Sequence, residues 1–170
     1  RRENPMKDNF RGRVAELNAL DKKYRKDGFA MTVLYGRRRV GKTMLINKFM
    51  QEHDCRNISF TAVEREESEL LSMMTESVLF ALAPDMVGNI SFNSFENLFD
   101  YIGKQAEKER IIFFIDEYPY LAKQCPYIQS VLQKLSLSIS FESITLSSTC
   151  SFSLNVPDFF NNWSTSVVLP

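Results

Sequence analysis

The run Gly36 to Thr43 has the spacing G-x-x-x-x-G-K-[ST] of a phosphate-binding loop. Its two glycines, Gly36 and Gly41, allow the backbone to curl until its N–H groups point inward, toward a cluster of negative charge. We expect Lys42 to reach the β- and γ-phosphates of a nucleoside triphosphate, and the Thr43 hydroxyl to ligate Mg²⁺. The motif therefore predicts a site for a nucleotide and its magnesium ion.

The sequence on either side of this loop supplies the elements that the motif needs. The apolar run 31–35 is typical of a buried strand, and residues 44–50 are typical of a helix, whose N-terminus adds partial positive charge. The alternative, a glycine-rich turn without a ligand, explains neither the Lys-Thr pair nor these flanking elements. The predicted nucleotide contacts are Gly36, Arg37, Arg38, Arg39, Val40, Gly41, Lys42, Thr43 and Met44.

A second candidate site follows the apolar run 111–115, where Asp116 and Glu117 are adjacent. Five apolar residues without alternation are typical of a strand covered on both faces, and ligands of parallel sheets bind at the carboxyl ends of strands. Asp116 comes about 70 residues after Lys42, and we expect it to hold Mg²⁺ mainly through the water shell. Glu117 is then the expected general base for the attacking water. The alternative is a strand that ends in a solvated acidic turn.

Strand and helix patterns alternate along the chain, which predicts an α/β sandwich around a mainly parallel sheet. Further strands are expected at 57–62 and 144–149. The expected helices are Val14 to Lys26, Met44 to Gln51, Glu64 to Leu82, Ser94 to Lys108 and Tyr127 to Leu135.

The two ends of the chain differ from this core. We assign residues 1–9 to a polar leader, 10–150 to a core that we expect to be incomplete, and 151–170 to an atypical tail. Residues 135–141 alternate between apolar side chains and serine, and such alternation predicts a strand. Residues 151–170 show no clear period.

The composition is that of an ordinary soluble domain. The 170 residues are 44% hydrophobic, and 21 basic side chains balance 21 acidic ones, so no global charge attracts nucleic acid or membranes. Because no apolar run reaches the ~18 residues of a membrane span and no signal peptide is visible, we expect a cytoplasmic location. The three cysteines and the single His53 lie too far apart to predict a metal site or a disulfide framework.

Basic residues are concentrated in the first 40 positions. Most such runs are solvated surface, but the concentration keeps open a DNA-binding face. The residues are Arg1, Arg2, Lys7, Arg11, Arg13, Lys22, Lys23, Arg25, Lys26, Arg37, Arg38 and Arg39.

Four blocks, in order, make the chain resemble the archaeal-type P-loop ATPases of the AAA+/STAND superfamily. Residues 10–17 resemble the opening F-x-G-R-x-x-E-L, and 34–43 resemble the loop Y-G-R-R-R-x-G-K-T, whose arginine run is specific. Residues 60–62 resemble the second-strand ending, and 115–121 the block D-E-[FY]-x-[YW]-L. The resemblance spans roughly residues 8–135 and implies a three-layer P-loop NTPase sandwich with an AAA-like strand order. It also implies ATP with Mg²⁺ as the ligand, residues 10–13 near the adenine, and Arg13 as a nucleotide contact.

The chain departs from this family after residue 135. Family members continue to a strand that ends in a Gly-Ser sensor pair, whereas residues 147–149 read Ser-Ser-Thr, and nothing reads as an arginine finger. Two hypotheses explain this: truncation of a longer protein combined with divergence, or a frameshift near Leu135 that produces a foreign tail.

These observations predict an ATP-binding switch or motor module that hydrolyses ATP with Mg²⁺. The isolated chain should hydrolyse ATP slowly, because it lacks a recognisable arginine finger to stabilise the charge of the transition state. Self-association or a partner would have to supply that arginine. An ATP-regulated DNA-binding protein and a non-hydrolysing fragment of a longer ATPase remain alternatives. A GTPase is disfavoured because residues 47–50 lack the aspartate of N-K-x-D and Asp116 does not open a D-x-x-G turn. No LSGGQ-like segment marks a transporter ATPase. A small-molecule kinase remains an alternative, although it would not need the Asp-Glu pair to activate water.

Overall fold

The computed structural model describes residues 13–25, 30–35, 40–138, 144–150 and 166–168. The strands are β1 (Ala30–Tyr35), β2 (Arg56–Thr61), β3 (Ile111–Asp116), β4 (Ile144–Cys150) and β5 (Ser166–Val168). The helices are α1 (Val14–Tyr24), α2 (Lys42–Glu52), α3 (Glu67–Leu82), α4 (Phe95–Ala106), α5 (Tyr118–Gln124) and α6 (Ile128–Ser138), with a 3₁₀ turn at Pro84–Met86.

The five strands form one parallel sheet in the order β2-β3-β4-β1-β5. The additional strand β4 lies between β1 and β3, which is the arrangement that the family resemblance implied. Ser148 of β4 is in register with both Val33 of β1 and Ile115 of β3. Strands β1 and β3 therefore end at nearly the same level of one sheet edge. The end of β1, after which the phosphate-loop motif begins in the sequence, is level with Asp116 at the end of β3.

Strand β3 is the centre of the three layers because its side chains are buried on both faces. Ile111, Phe113 and Ile115 pack into the larger core with α3, α4, α5 and α6. Ile112 and Phe114 pack into the smaller core with α1 and α2. None of the five side chains is more than 1% exposed. The prediction of a strand covered on both faces is confirmed.

Helix α1 is held on α2 by Leu20, which is fully buried among Leu45, Ile46 and Phe49. This contact matters for the site because α1 and α2 both begin beside the phosphate loop. Burial of such a side chain is the main stabilising term for a short amphipathic helix.

We expect Leu20→Ala to lower the free energy of unfolding by about 2–5 kcal/mol, since it removes buried methyl groups and leaves a cavity. Urea denaturation followed by circular dichroism measures the change. Asn18→Ala, at an exposed position of the same helix, is the matched control. An unchanged midpoint for Leu20→Ala would contradict this packing.

The structure corrects the expectation of a strand over residues 135–141. Helix α6 continues to Ser138, and residues 139–143 lie outside the described part. Ile128, Val131, Leu132 and Leu135 are all buried at helical spacing, so packing of this face outweighs the local Leu-Ser alternation.

Two strands after residue 138 belong to the same sheet. The expectation of a strand at residues 144–149 is confirmed by β4. Residues 166–168 pair with β1 as an edge strand, although no period in the sequence marked them. Across the described residues, the helices are too short or too polar to span a bilayer.

Candidate functional site

The described half of the phosphate loop, Val40 to Thr43, leads directly into α2. Gly41 has φ +82° and ψ 24°, a left-handed conformation that glycine adopts without a steric penalty. The carbonyl of Gly41 accepts from the Leu45 N–H at 3.0 Å and starts the helix. The first N–H groups of any helix have no intrahelical acceptor, so a helix N-terminus such as that of α2 is a favourable position for an anion. Gly36, Arg37, Arg38 and Arg39 lie outside the described residues.

Lys42, the first residue of α2, is only 9% exposed. Lysine is rarely buried to this degree without a partner for its charge. Its neighbours Thr43 and Met44 are exposed. The turn thus buries the Lys42 side chain at the start of α2, while the Thr43 hydroxyl faces the sheet edge.

Thr43 and Asp116 are brought together although 73 residues separate them. The Thr43 hydroxyl donates to Asp116 Oδ2 at 2.9 Å. The contact agrees with the register of the sheet, in which β1 and β3 end at nearly the same level. The two segments that the sequence singled out therefore meet at one edge of the sheet.

The Asp116 carboxylate is also fixed from its own strand end. Its Oδ1 accepts from the backbone N–H of Glu117 at 3.0 Å. Glu117 has φ 53° and ψ 40°, and it is the one non-glycine among the described residues with positive φ. Such a conformation typically costs about 1–3 kcal/mol and is concentrated at functional sites.

The strained turn at Glu117 is supported by the helix after it. Helix α5 starts at Tyr118, with Pro119 in its first turn, where proline suits the helix. Tyr118 is 2% exposed and Leu121 is fully buried in the larger core. These anchors hold the backbone of Glu117 at the sheet edge, beside Asp116.

The donor set at this edge suits Mg²⁺. A hydroxyl and a carboxylate are hard oxygen ligands, and magnesium is usually held by one or two carboxylates together with phosphates and water. The 2.9 Å separation of Thr43 Oγ1 and Asp116 Oδ2 is short enough for both to share one ion or its water shell. In the part of the chain that the structure describes, no group of three or more His, Cys, Asp or Glu side chains offers an alternative metal site.

Arg13, the residue before α1, contacts the phosphate loop. Its Nη2 donates to the backbone carbonyl of Val40, in the phosphate loop, at 2.6 Å. Its Nη1 lies 3.5 Å from Glu16 Oε1. Residues 10–12, expected near the adenine with Arg13, lie outside the described range.

The far end of α1 is fastened by contacts that sequence reasoning missed. Arg110 donates to the Tyr24 carbonyl, and its guanidinium lies 4.8 Å from the centre of the Tyr24 ring. Nε2 of His53, the residue just after α2, lies 3.1 Å from Asp21 Oδ1. The hydrogen bond from Arg25 holds the pKa of Asp21 below its usual range. Arg110 and Tyr24, and likewise His53 and Asp21, are far apart in the sequence, so no sequence pattern marks these two contacts.

Comparison with known proteins agrees with this architecture. A family model described as an ATPase domain predominantly from Archaea matches residues 10–149. An uncharacterized protein of Methanocaldococcus jannaschii is 30% identical over 126 residues, which are 74% of this chain and 26% of that protein. An uncharacterized ATP-binding protein of the same organism is 44% identical over 50 residues, 29% of this chain and 85% of that protein. The chain thus spans about a quarter of the length of the first relative.

Solved structures share the fold. Drosophila ORC bound to DNA has a TM-score of 0.71 at 20% identity, with 94% of this chain and 42% of that chain covered. The Aeropyrum pernix ORC2 protein, solved with ADPNP and ADP, has a TM-score of 0.63 at 16% identity, with 99% and 50% covered. Both are AAA+ P-loop ATPases, and identities this low show the fold alone. Because the family model matches residues 10–149, which are most of this chain, the chain belongs to the family of ATPase domains found predominantly in Archaea.

Proposed function

We propose that this chain binds ATP with Mg²⁺ at the edge where β1 and β3 end, and hydrolyses it as a switch or motor module. The observation that carries the proposal is the 2.9 Å contact between Thr43 and Asp116, which unites a phosphate loop with an acidic strand end. Membership of an ATPase family supports nucleotide binding in general. The role of each individual residue is part of the proposal.

The proposed chemistry assigns one task to each group. Backbone N–H groups of the loop and of α2 bind the phosphate oxygens, and Lys42 places its charge at the β- and γ-phosphates. Thr43 and Asp116 hold Mg²⁺, which when bound neutralises charge that develops during transfer. Glu117 accepts the proton of the water that attacks the γ-phosphate in line, and ADP and phosphate leave.

The magnesium assignment is tested by Thr43→Val, which keeps the shape of the side chain and removes the hydroxyl. We expect the gain in ATP affinity that Mg²⁺ confers to fall roughly tenfold, because one oxygen ligand is lost. Binding in EDTA should be unchanged. Titration of a fluorescent ATP analogue with and without Mg²⁺ measures both values.

Thr43→Ser is the matched control for this prediction, since it restores the hydroxyl and should restore the Mg²⁺ effect. If Thr43→Val responds to Mg²⁺ like the unaltered chain, Thr43 is not a ligand of the ion.

Hydrolysis by the chain alone should be slow. An arginine supplied by a second subunit typically contributes about 10³–10⁵ in rate. We therefore propose that self-association or another protein completes the site. A rate that rises more than linearly with chain concentration would support self-association.

A second candidate is an ATP-regulated DNA-binding protein. The concentration of basic residues in the first 40 positions favours it, and one structural neighbour, Drosophila ORC, was solved bound to DNA. Binding to duplex DNA should then weaken with salt at a slope of several counterions. No binding at low salt, with or without Mg-ATP, would exclude this candidate.

A further inference from the structure

Arg13 reaches the phosphate loop from outside it. Arg13 directly precedes α1, and its side chain is only 19% exposed, so most of it is buried. Its Nη2 lies 2.6 Å from the Val40 carbonyl oxygen, and its Nη1 lies 3.5 Å from the Glu16 carboxylate. A hydrogen bond from a charged donor is among the stronger ones in proteins.

The Val40 carbonyl belongs to the same peptide unit as the Gly41 N–H. In a trans peptide these two groups point in opposite directions within one plane. A guanidinium that holds the carbonyl on one side therefore fixes the N–H toward the other. Gly41 is the residue that most needs this restraint, because glycine at φ +82° has more accessible conformations than any other residue.

Helix α1 is docked firmly enough to act as the support. Leu20 is fully buried against α2, and beyond it Arg110 binds the Tyr24 carbonyl while His53 lies beside Asp21. The start of α1 is next to the start of α2, and the end of α1 is next to the end of α2, so the two helices run side by side. Because α1 is held in place, the hydrogen bond from Arg13 restrains the position of the Val40 carbonyl.

We infer that Arg13 is a positioning residue: it orients the Val40–Gly41 peptide so that the Gly41 N–H points at the phosphates, without touching the base or the ribose. The inference rests on the proposed function and names a different role for Arg13 from the nucleotide contact that the family resemblance implied.

Tripolyphosphate separates the two roles because it has the phosphates of ATP and neither base nor sugar. For Arg13→Ala we expect the affinity for Mg-ATP and for Mg-tripolyphosphate to fall by the same factor, roughly tenfold to a hundredfold. Competition against a fluorescent ATP analogue measures both. Arg13→Lys keeps one donor and should recover part of each loss. Arg25→Ala is the control, since Arg25 is an exposed arginine at the other end of α1, paired with Asp21.

Other results would contradict the positioning role of Arg13 or the proposed function. If Arg13→Ala weakens ATP but not tripolyphosphate, Arg13 contacts the base or ribose and the inference is wrong. If it weakens neither, the hydrogen bond to Val40 does not matter for binding and the inference is also wrong. If Arg13→Ala is unfolded by circular dichroism, the comparison is made with Arg13→Lys, and equal partial losses are still required. If the unaltered chain binds neither compound, the proposed function itself fails.

Discussion

Replacing Glu117 by glutamine is expected to slow ATP hydrolysis by roughly 10²–10⁴, the usual contribution of a general base. Glutamine has the same size and cannot accept the proton of the attacking water. Because Glu117 contributes its backbone N–H to Asp116 at 3.0 Å, the substitution should leave the magnesium site and nucleotide affinity intact. Single-turnover phosphate release, with the chain in excess over ATP, measures the rate even when turnover is slow.

Glu109→Gln is the matched control for this prediction. Glu109 lies just before β3, at the opposite end of the strand, in an exposed pair with Arg56. Loss of such a pair typically costs less than about 1 kcal/mol, so hydrolysis should be unchanged. A Glu117→Gln variant that binds ATP and hydrolyses it at the original rate would remove Glu117 from the mechanism.

Replacing Lys42 by alanine is expected to affect both binding and turnover. Its charge is buried beside the loop, at 9% exposure, where interaction with phosphates is weakly screened. We expect the hydrolysis rate to fall by about 10²–10³, the effect of removing one donor to developing charge. Stabilisation of the fold by Mg-ATP, about 2.7 kcal/mol at 100 times Kd, should largely vanish. Thermal unfolding with and without Mg-ATP measures this second effect.

Lys48→Ala controls for loss of a lysine from the same helix. Lys48 pairs with Glu52 on the surface of α2, 3.6 Å away. This variant should keep both hydrolysis and ligand stabilisation. If Lys42→Ala still gains stability from Mg-ATP as the unaltered chain does, the lysine does not face the phosphates.

The parallel sheet and the convergence of the two motifs were predictable from the sequence, because both depend on local patterns. The unbroken apolar run 111–115 indicates a strand buried on both faces, and the loop motif carries its own strand and helix. Helix α2 starts at Lys42 rather than Met44 because Gly41, in the left-handed conformation, already forms the cap. The strand order came from the family resemblance, since no local pattern encodes it.

The contacts that the sequence did not predict join distant residues. Arg13 with Val40, and Arg110 with Tyr24, pair 27 and 86 positions apart and leave no period. The segment 135–138 alternates like a strand, yet it extends α6 because the buried face of that helix already fixes its direction. Tertiary packing decides both cases.

Two observations favour an unshifted reading frame past Leu135. The family match runs to residue 149, and β4 pairs with both β1 and β3 over residues 144–150. Both observations favour an uninterrupted frame through β4, the position at which the family resemblance places the sensor strand. Sequencing of the source DNA is the direct test of the frameshift hypothesis.

Binding of Mg-ATP at the edge formed by Lys42, Thr43 and Asp116 underlies every role proposed for these residues. Titration of a fluorescent ATP analogue into the unaltered chain with Mg²⁺ examines this binding without any intermediate step. We expect saturable binding of one nucleotide per chain, displaced by ATP and by tripolyphosphate and weakened by Lys42→Ala. A chain that is folded by circular dichroism and shows no saturable binding at millimolar nucleotide would contradict the proposed site.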